Sequence, residues 1–129
     1  MNSPCVLDAS AVLALLNRET GAGIVEEALV SGAVISSVNL SEVVAKLIDV
    51  GLSPDETGWI ISGLGLRIES FDSRQAYEAG ILRLSTKELG LSLGDRACMA
   101  LAVTLGFPVL TADRSWVEVD LPVEIRVIR

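Results

Sequence analysis

The amino-acid sequence predicts one α/β domain over residues 1–129, in which a mostly parallel sheet lies between helices. Short β-type runs alternate with helical runs along the chain, and neighbouring parallel strands require crossover connections of this kind. Half of the 129 residues are hydrophobic but only 4% are aromatic, so aliphatic side chains must fill the core. The length is that of one ordinary domain, which buries about two-thirds of its unfolded surface.

The first half of the chain alternates between strands and helices. In chain order its elements are a strand over 5–7, helices over 10–16 and 24–30, a strand over 33–36 and a helix over 40–50. A further helix begins after Ser53, because Ser53-Pro54-Asp55-Glu56 combines a capping-box pattern with proline at the first helical position. This helix is predicted to run toward Gly63.

The second half continues the alternation. Its elements are a strand over 66–71, a long helix capped at Asp72 and extending to about 88, a helix from about 93 to 105, and strands over 108–111 and 123–128. The helix from 93 is apolar at nearly every position between 97 and 105. It is therefore predicted to be central and buried.

The charge and the missing residue types restrict the chemistry. Seventeen acidic residues against ten basic ones give a net charge of -7, and histidine is absent. The absence of histidine excludes Ser-His and Cys-His nucleophiles, and two cysteines alone cannot form a zinc site. Carboxylate chemistry remains, which prefers hard ions such as Mg²⁺ or Mn²⁺. The acidic balance argues against gripping nucleic acid by bulk charge, although phosphates remain reachable through bound metal.

No pattern indicates secretion or membrane insertion. Cys5 and Cys98 lie far apart in apolar segments, which is typical of small buried hydrophobic residues rather than of a disulfide framework. Residues 1–4 contain no basic region, and no apolar stretch reaches the roughly 18 residues of a membrane span. We therefore expect a cytoplasmic protein that does not contact a membrane.

Four acidic residues are candidates for a site at the carboxyl ends of the strands, where ligands bind in parallel α/β folds. Asp8 follows the first strand and Asp113 the fourth. Glu42 lies on the helix after the second strand, and Asp95 lies in the first turn of the buried helix. Two carboxylates about 4 Å apart repel by roughly 4 kcal/mol at an effective dielectric of about 20. If the fold brings these residues together, the pocket is able to hold one or two divalent ions.

Each of these residues also has a local explanation. Asp8 is placed to cap the following helix, and Asp95 to interact favourably with the dipole of its own helix. Asp113 is placed to initiate a turn. Glu42 shares a polar helix face with Asn39, and such a face either is solvated or borders a cleft. Periodicity alone does not decide between these alternatives.

Four blocks of sequence carry a resemblance to a known family. They are Val6-Leu7-Asp8-Ala9-Ser10, Asn39-Leu40-Ser41-Glu42, Leu93-Gly94-Asp95-Arg96-Ala97 and Leu110-Thr111-Ala112-Asp113. In this order and at these intervals they resemble the PIN-domain nucleases, most closely the VapC-type ribonuclease toxins of toxin–antitoxin pairs. The resemblance covers essentially the whole chain.

The resemblance implies a PIN-like three-layer α/β/α domain with a five-stranded parallel sheet and helices on both faces. It implies that the four acidic residues named above bind Mg²⁺ or Mn²⁺ and carry catalysis, with Ser10 and Thr111 supporting them. The implied activity is metal-dependent endoribonuclease hydrolysis of RNA, with transfer or ribosomal RNA as the family-level substrate. The implied partners are a VapB-like antitoxin and a second copy of the chain in a homodimer.

Two arginines are further candidate residues of the site, and three other protein classes are alternatives to the nuclease. Arg96 and Arg114 directly follow proposed ligands, so they are candidates for contacting phosphate or for pairing with neighbouring acids. A metal-dependent adhesion or binding module would need a second serine where Val12 stands. A phosphoaspartyl enzyme of the haloacid dehalogenase type would need a second acid where Ser10 stands. A catalytically inactive PIN scaffold is the third alternative.

Overall fold

The five strands of the computed structural model, which describes residues 4–129, form one parallel sheet. Residues 1–3, which belong to the predicted domain and to the amino-terminal segment without a basic region, lie outside the described residues. The strands are β1 (Cys5–Leu7), β2 (Ala33–Ser36), β3 (Arg67–Glu69), β4 (Val109–Thr111) and β5 (Ile125–Val127). They are ordered β3-β2-β1-β4-β5, and every neighbouring pair is parallel.

Helices connect the strands, as the alternating pattern predicts. They are α1 (Ala9–Leu16), α2 (Ala22–Ser31), α3 (Ser37–Asp49), α4 (Pro54–Gly63), α5 (Ser73–Ile81), α6 (Arg83–Thr86) and α7 (Leu93–Leu105). Short 3₁₀ segments cover Lys87–Leu89 and Arg114–Glu118. The capping box at Ser53 and the cap at Asp72 are both confirmed. Within residues 4–129, no helix has the length and apolar character needed to cross a membrane.

The prediction of one long helix ending near residue 88 is wrong. The chain leaves regular α-helix after Ile81 and continues as α6 and a 3₁₀ turn. The hydroxyls of Ser85 and Thr86 donate to the Leu82 carbonyl oxygen at 3.3 and 2.8 Å. Such hydroxyls offer the backbone a local alternative to the helical hydrogen-bond ladder. Gly90 then ends the segment in the left-handed conformation.

The start of α3 also differs from the prediction. The helix begins at Ser37 rather than Leu40, because the Ser36 hydroxyl accepts a hydrogen bond from the Val38 backbone N–H at 3.2 Å and caps it. The capping side chain belongs to the last residue of β2, so strand and helix follow each other without a loop. Glu42 is consequently in the second turn of the helix.

The sheet separates two hydrophobic cores, which makes the domain three-layered. Successive side chains of β1 point to opposite faces: Cys5 and Leu7 pack among α1, α2, α3 and α4, whereas Val6 packs against α7. Trp116 is fully buried in the second core, and α5 packs on the outer side of α7. Cys5 and Cys98 are both buried free thiols.

The parallel register brings several chain segments to one edge of the sheet, which we call the carboxyl-end edge. Leu7 of β1 lies opposite Leu110 of β4, and the Asp8 backbone N–H donates to the Leu110 carbonyl oxygen at 3.2 Å. Thr111 of β4 lies opposite Val127 of β5. The residues that follow β1, β4 and β5 therefore emerge side by side.

The turn before α2 packs directly on the end of β5. Gly21 has φ +94°, and a Cβ atom at this position would lie 2.5 Å from the Ile128 carbonyl oxygen. Only glycine adopts this conformation without strain and leaves room for the neighbouring backbone. The close approach fixes residues 19–21 against the carboxyl-end edge.

Substituting Gly21 by alanine should lower the free energy of unfolding by about 1–3 kcal/mol, because both the backbone conformation and the contact with Ile128 become strained. Gly23→Ala is the matched control, since a Cβ atom there meets nothing within 4 Å. This control should leave stability unchanged or raise it by up to about 1 kcal/mol. Urea denaturation measures both variants, and equal midpoints for them would contradict the packing argument.

Candidate functional site

All four acidic residues predicted from the sequence line one cavity at the carboxyl-end edge, which we call the acidic cavity. Its volume is about 220 Å³. Its lining residues are Asp8, Ala9, Ser10, Leu13, Asn39, Glu42, Asp95 and Asp113. The acids come from four different segments: the end of β1, the second turn of α3, the first turn of α7 and the end of β4. The fold therefore brings together residues that are separated by as many as 105 positions in sequence.

Asp8 is the most enclosed of these acids and lies at the centre of a hydrogen-bond network. Its side chain is 4% exposed. As the N-cap of α1, its Oδ1 accepts from the Ala11 backbone N–H at 2.9 Å and from the Ser10 hydroxyl at 2.7 Å. Its Oδ2 accepts from the Thr111 hydroxyl at 2.6 Å. The carboxylate is thus tied both to α1 and to β4.

Ser10 and Thr111, the two residues expected to support the acids, connect Asp8 to Asp113. The Ala112 backbone N–H donates to the Ser10 Oγ at 2.9 Å, and the Asp113 backbone N–H donates to the Thr111 Oγ1 at 3.1 Å. Each hydroxyl therefore donates to Asp8 while it accepts from the chain leading to Asp113. These contacts fix the relative positions of two acid-bearing segments.

Burial raises the pKa of Asp8 from its ordinary value of 3.8 to about 6. Desolvation is the largest cause, because burial disfavours the charged form. Hydrogen bonds from Thr111, Ala11 and Ser10 oppose the rise, and the negative charge of Asp95 adds to it. Asp8 is accordingly a carboxyl group whose ionised form is costly unless a cation or further donor is present.

Glu42 is held by Asn39, a site residue that sequence reasoning missed. Asn39 is 1% exposed, and its Nδ2 donates to Glu42 Oε1 at 2.8 Å and to the Gly94 carbonyl oxygen at 2.9 Å. It therefore joins α3 to the first turn of α7 and orients Glu42. The available signal was an amide side chain three positions before the acid on the same helix face. Periodicity placed both residues on a polar face without showing that α7 covers Asn39.

Asp95 and Asp113 each make the local contacts that the sequence suggested as alternatives. Asp95 Oδ2 accepts from the Ser92 backbone N–H at 2.9 Å, while Ser92 Oγ accepts from the Asp95 backbone N–H, which completes a capping box. Asp113 Oδ1 accepts from the Ser115 backbone N–H at 2.9 Å and from its hydroxyl at 2.7 Å. Asp8 is likewise a helix cap. The cap predicted for Asp8 is therefore confirmed, as are the first-turn position of Asp95 and the turn that starts at Asp113, and the same three side chains also line the acidic cavity.

These caps determine where the carboxylate oxygens point. Among residues 4–129, no three Asp, Glu, Cys or His side chains are arranged as a ready metal-binding group. Each acid at the cavity instead bonds to a donor near it in sequence, as described above. A cation entering the cavity must therefore compete with these local hydrogen bonds for the carboxylate oxygens.

The two arginines singled out from the sequence lie outside the acidic cavity. The Arg96 Nη1 donates to the Ala79 carbonyl oxygen of α5 at 2.9 Å. Arg114 lines a neighbouring pocket together with Glu19, Thr20 and Arg129. Within residues 4–129, neither arginine forms an ion pair with an acid.

Comparisons with known proteins agree with this architecture. The sequence matches the PIN domain family over residues 5–121. A chain of the DNA-bound VapBC complex from Salmonella typhimurium has a similar fold, with a TM-score of 0.75 and 19% identity over 99% of this chain and 100% of that chain. A chain of VapBC2 from Rickettsia felis, bound to a promoter DNA fragment, has a TM-score of 0.74 and 16% identity over 96% of this chain and 98% of that chain. A chain of VapBC-5 from Mycobacterium tuberculosis has a TM-score of 0.63 and 21% identity over 99% of both chains. No curated protein matches the sequence significantly.

The raised pKa of Asp8 gives a testable pH dependence of stability in the metal-free protein. Between pH 4 and 6 the folded state binds more protons at Asp8 than the unfolded state does. The free energy of unfolding therefore falls as pH rises through this range, and the stabilising contribution of Asp8 is lost once pH passes about 6. Asp8→Asn removes that loss and retains the cap. We expect the variant to match the wild type near pH 4 and to exceed it by roughly 1–3 kcal/mol at pH 7. Urea denaturation in EDTA across this range measures the difference.

Asp72→Asn is the matched control for this experiment. Asp72 caps α5 with nearly the same backbone angles as Asp8 and the same 2.9 Å hydrogen bond to a backbone N–H, but its side chain is exposed. Its substitution should change stability at pH 7 by no more than about 0.5 kcal/mol. A wild type more stable than Asp8→Asn at pH 7 would contradict the expected cost of the buried carboxylate.

Proposed function

The chain belongs to the PIN domain family, and from this premise we propose that it is a Mg²⁺- or Mn²⁺-dependent endoribonuclease, the toxin of a toxin–antitoxin pair. One observation carries the proposal: carboxylates from four separate segments line a single cavity at the carboxyl-end edge of the sheet. A carboxylate that only caps a helix at the surface acts alone, so capping does not require four acids to converge. The resemblance to VapC-type toxins at all four acidic positions supports the same activity.

The chemistry of the cavity suits a hard divalent cation. The donors are carboxylate oxygens, the ligands that Mg²⁺ and Mn²⁺ prefer, and mutual repulsion among them favours a bound cation. A Cβ atom at position 94 would lie 2.6 Å from both carboxylate oxygens of Glu42, so the glycine leaves the space that this carboxylate occupies. The buried Asn39 Oδ1 has no hydrogen-bond partner among the described residues. Together these features support a site that takes an additional positively charged group.

The proposed reaction is hydrolysis of an RNA phosphodiester bond. The oxygen of a water molecule forms a bond to phosphorus, the bond from phosphorus to the leaving ribose oxygen breaks, and a proton passes to that oxygen. When bound, a divalent ion supplies a means of activating water at neutral pH, which a chain without histidine otherwise lacks, and it offsets negative charge on the phosphate. Asp8, Glu42, Asp95 and Asp113 hold the ion. Ser10 and Thr111 keep Asp8 oriented, and Asn39 does the same for Glu42.

The alternative of an adhesion-type binding module loses support. Its motif needs a second serine at position 12, whereas Val12 is fully buried in the core beneath α1. A hydroxyl on that side of the helix would face apolar side chains rather than the acidic cavity. No observation favours this alternative over hydrolysis.

The partners proposed for the chain are RNA, a VapB-like antitoxin and a second copy of the chain. The antitoxin and homodimer follow from the resemblance, and the similarity to chains from VapBC complexes supports the antitoxin. The chain offers apolar surface that such partners need. A groove of about 520 Å³ between α3 and α4 is lined mainly by aliphatic side chains, and Trp59 of α4 is 71% exposed.

Cleavage of purified transfer and ribosomal RNA tests the activity. The wild type should cleave RNA with Mn²⁺ or Mg²⁺ and should not do so with EDTA. Asp8→Asn should reduce cleavage by about 100-fold or more, because a central metal-binding carboxylate is lost. Asp72→Asn, which preserves the acidic cavity, should cleave as the wild type does. Wild-type cleavage rates in Asp8→Asn would contradict the proposal.

Gly94 allows metal binding to be tested without RNA. Gly94→Ala should displace the Glu42 carboxylate yet change metal-free stability by less than about 1 kcal/mol, since alanine favours the helix. For a site of roughly millimolar affinity, about 10 mM Mn²⁺ should raise the wild-type melting temperature by roughly 4–6 °C. Gly94→Ala should show half that shift or less. Gly80→Ala, a helical position at which a Cβ atom meets nothing within 4 Å, should keep the full shift.

Melting must be compared at matched ionic strength, because added salt alone changes the stability of an acidic protein. An equal Mn²⁺ shift in Gly94→Ala and the wild type would show that Glu42 does not take part in binding. No shift in the wild type would remove the metal from the proposal.

A further inference from the structure

A second pocket lies at the carboxyl-end edge, on the β5 side of the acidic cavity, and contains two arginines. We call it the arginine pocket; it has a volume of about 330 Å³ and is lined by Glu19, Thr20, Arg114 and Arg129. We propose that it binds a backbone phosphate of the RNA strand next to the one that is cleaved. This inference rests on the proposed function, since it assigns the position of the same substrate.

The strand register explains why the two pockets are neighbours. Thr111 of β4 lies opposite Val127 of β5, and the two strands run in parallel. Two residues further along each chain segment stand Asp113, which lines the acidic cavity, and Arg129, which lines the arginine pocket. Arg114 directly follows Asp113. A phosphate held by these arginines is therefore adjacent to a phosphate at the acidic cavity.

Among the described residues, both arginines are exposed and neither forms a buried ion pair. Five arginines form ion pairs with glutamates among the described residues, and Arg114 is not one of them. Arg129 pairs with Glu19 at 3.1 Å, but both side chains are more than two-fifths exposed. An exposed pair of this kind contributes at most about 1 kcal/mol. A phosphate is able to displace Glu19, because two guanidinium groups then share one anion.

The backbone on both sides of the arginine pocket is constrained. Gly21 packs against Ile128. This contact holds Thr20 beside Arg129, the residue that directly follows Ile128. Asp113 accepts from Ser115 and caps the 3₁₀ segment that begins at Arg114, and Trp116 anchors this segment in the core. The pocket walls are thus held in place, although the arginine side chains themselves are exposed.

The chemistry of the lining selects a phosphate group. Guanidinium groups donate paired hydrogen bonds to phosphate oxygens, and the Thr20 hydroxyl is a further donor. A protein with a net charge of -7 repels RNA at long range. Local positive charge beside the acidic cavity offsets this repulsion where the strand must approach. The arginine pocket therefore acts in binding and positioning and touches none of the reacting atoms.

Fluorescence anisotropy with a labelled single-stranded RNA of twelve nucleotides tests the inference. Binding is measured in EDTA, so that cleavage does not interfere, at salt concentrations from about 50 to 200 mM. Arg114→Gln/Arg129→Gln should weaken binding about 5- to 20-fold through the loss of charge-assisted contacts. It should also reduce the slope of log affinity against log salt by about 0.7, the value for one phosphate of a single strand.

Arg74→Gln/Arg83→Gln is the matched control. It makes the same change in net charge at exposed arginines of α5 and α6, neither of which lines either pocket. This variant should retain wild-type affinity within about twofold, because only screened long-range charge is removed. Melting temperatures of all variants establish that each is folded. Equal affinities and slopes for the two double variants would overturn the proposal, as would a wild type that does not bind RNA at 50 mM salt.

Cleavage by the wild type separates this proposal from the proposed function. If the wild type binds RNA through the arginines but cleaves none with Mn²⁺, the proposed function fails, and the arginine pocket remains a phosphate-binding site for RNA. If the wild type cleaves RNA and the Arg114→Gln/Arg129→Gln variant binds and cleaves equally well, the proposal for the arginine pocket fails and the proposed function stands.

Discussion

The hydrogen bond between the Thr111 hydroxyl and the Asp8 carboxylate is the interaction on which the site depends. It joins residues that are 103 positions apart, at the ends of two adjacent parallel strands. Because Asp8 also caps α1, the same carboxylate sets the position of that helix relative to β4. Asp113 follows Thr111 by two residues, so its position depends on this junction as well. Ser10 reinforces the junction by accepting from the Ala112 backbone N–H.

The acids at the cavity serve the fold and the proposed chemistry with the same atoms. Asp8, Asp95 and Asp113 each satisfy backbone N–H groups at the start of a helical segment, which stabilises that segment locally. Their convergence has the opposite effect at Asp8, because burial and the negative charge of Asp95 raise the free energy of its charged form. The divalent ion of the proposed function would resolve this conflict for the carboxylates, although it would have to compete with the caps for their oxygens. Under that proposal, the free energy of folding and the affinity for metal are linked.

The carboxyl-end edge carries two pockets of opposite character. The acidic cavity suits cations, whereas the arginine pocket beside it suits phosphate. Under the proposed function, this arrangement would allow a strongly acidic chain to bind a polyanion, because attraction is confined to a few groups beside the acidic cavity rather than spread over the surface. Parallel pairing of β1, β4 and β5 creates the arrangement, because it places the residues after each strand along one line.

Features that depend on near neighbours in the chain were predictable from the sequence. Alternating runs identified all five strands, and capping patterns at Ser53 and Asp72 located the starts of two helices. The sequence also pointed to the four acids, because Asp8 and Asp113 follow predicted strands and all four lie in the blocks that resemble one family. Cap, turn and periodicity signals act over three or four residues, so the sequence contains them directly.

The contacts between those features became known from the three-dimensional structure. It showed that α7 covers Asn39, that Glu42 faces Gly94, and that Arg129 lies beside Arg114. It also showed that the acids keep their capping contacts while they line one cavity. Burial and distance between such residues depend on how sheet and helices pack across a hundred positions of chain. No local pattern encodes that packing, because the neighbours that create it are distant in sequence.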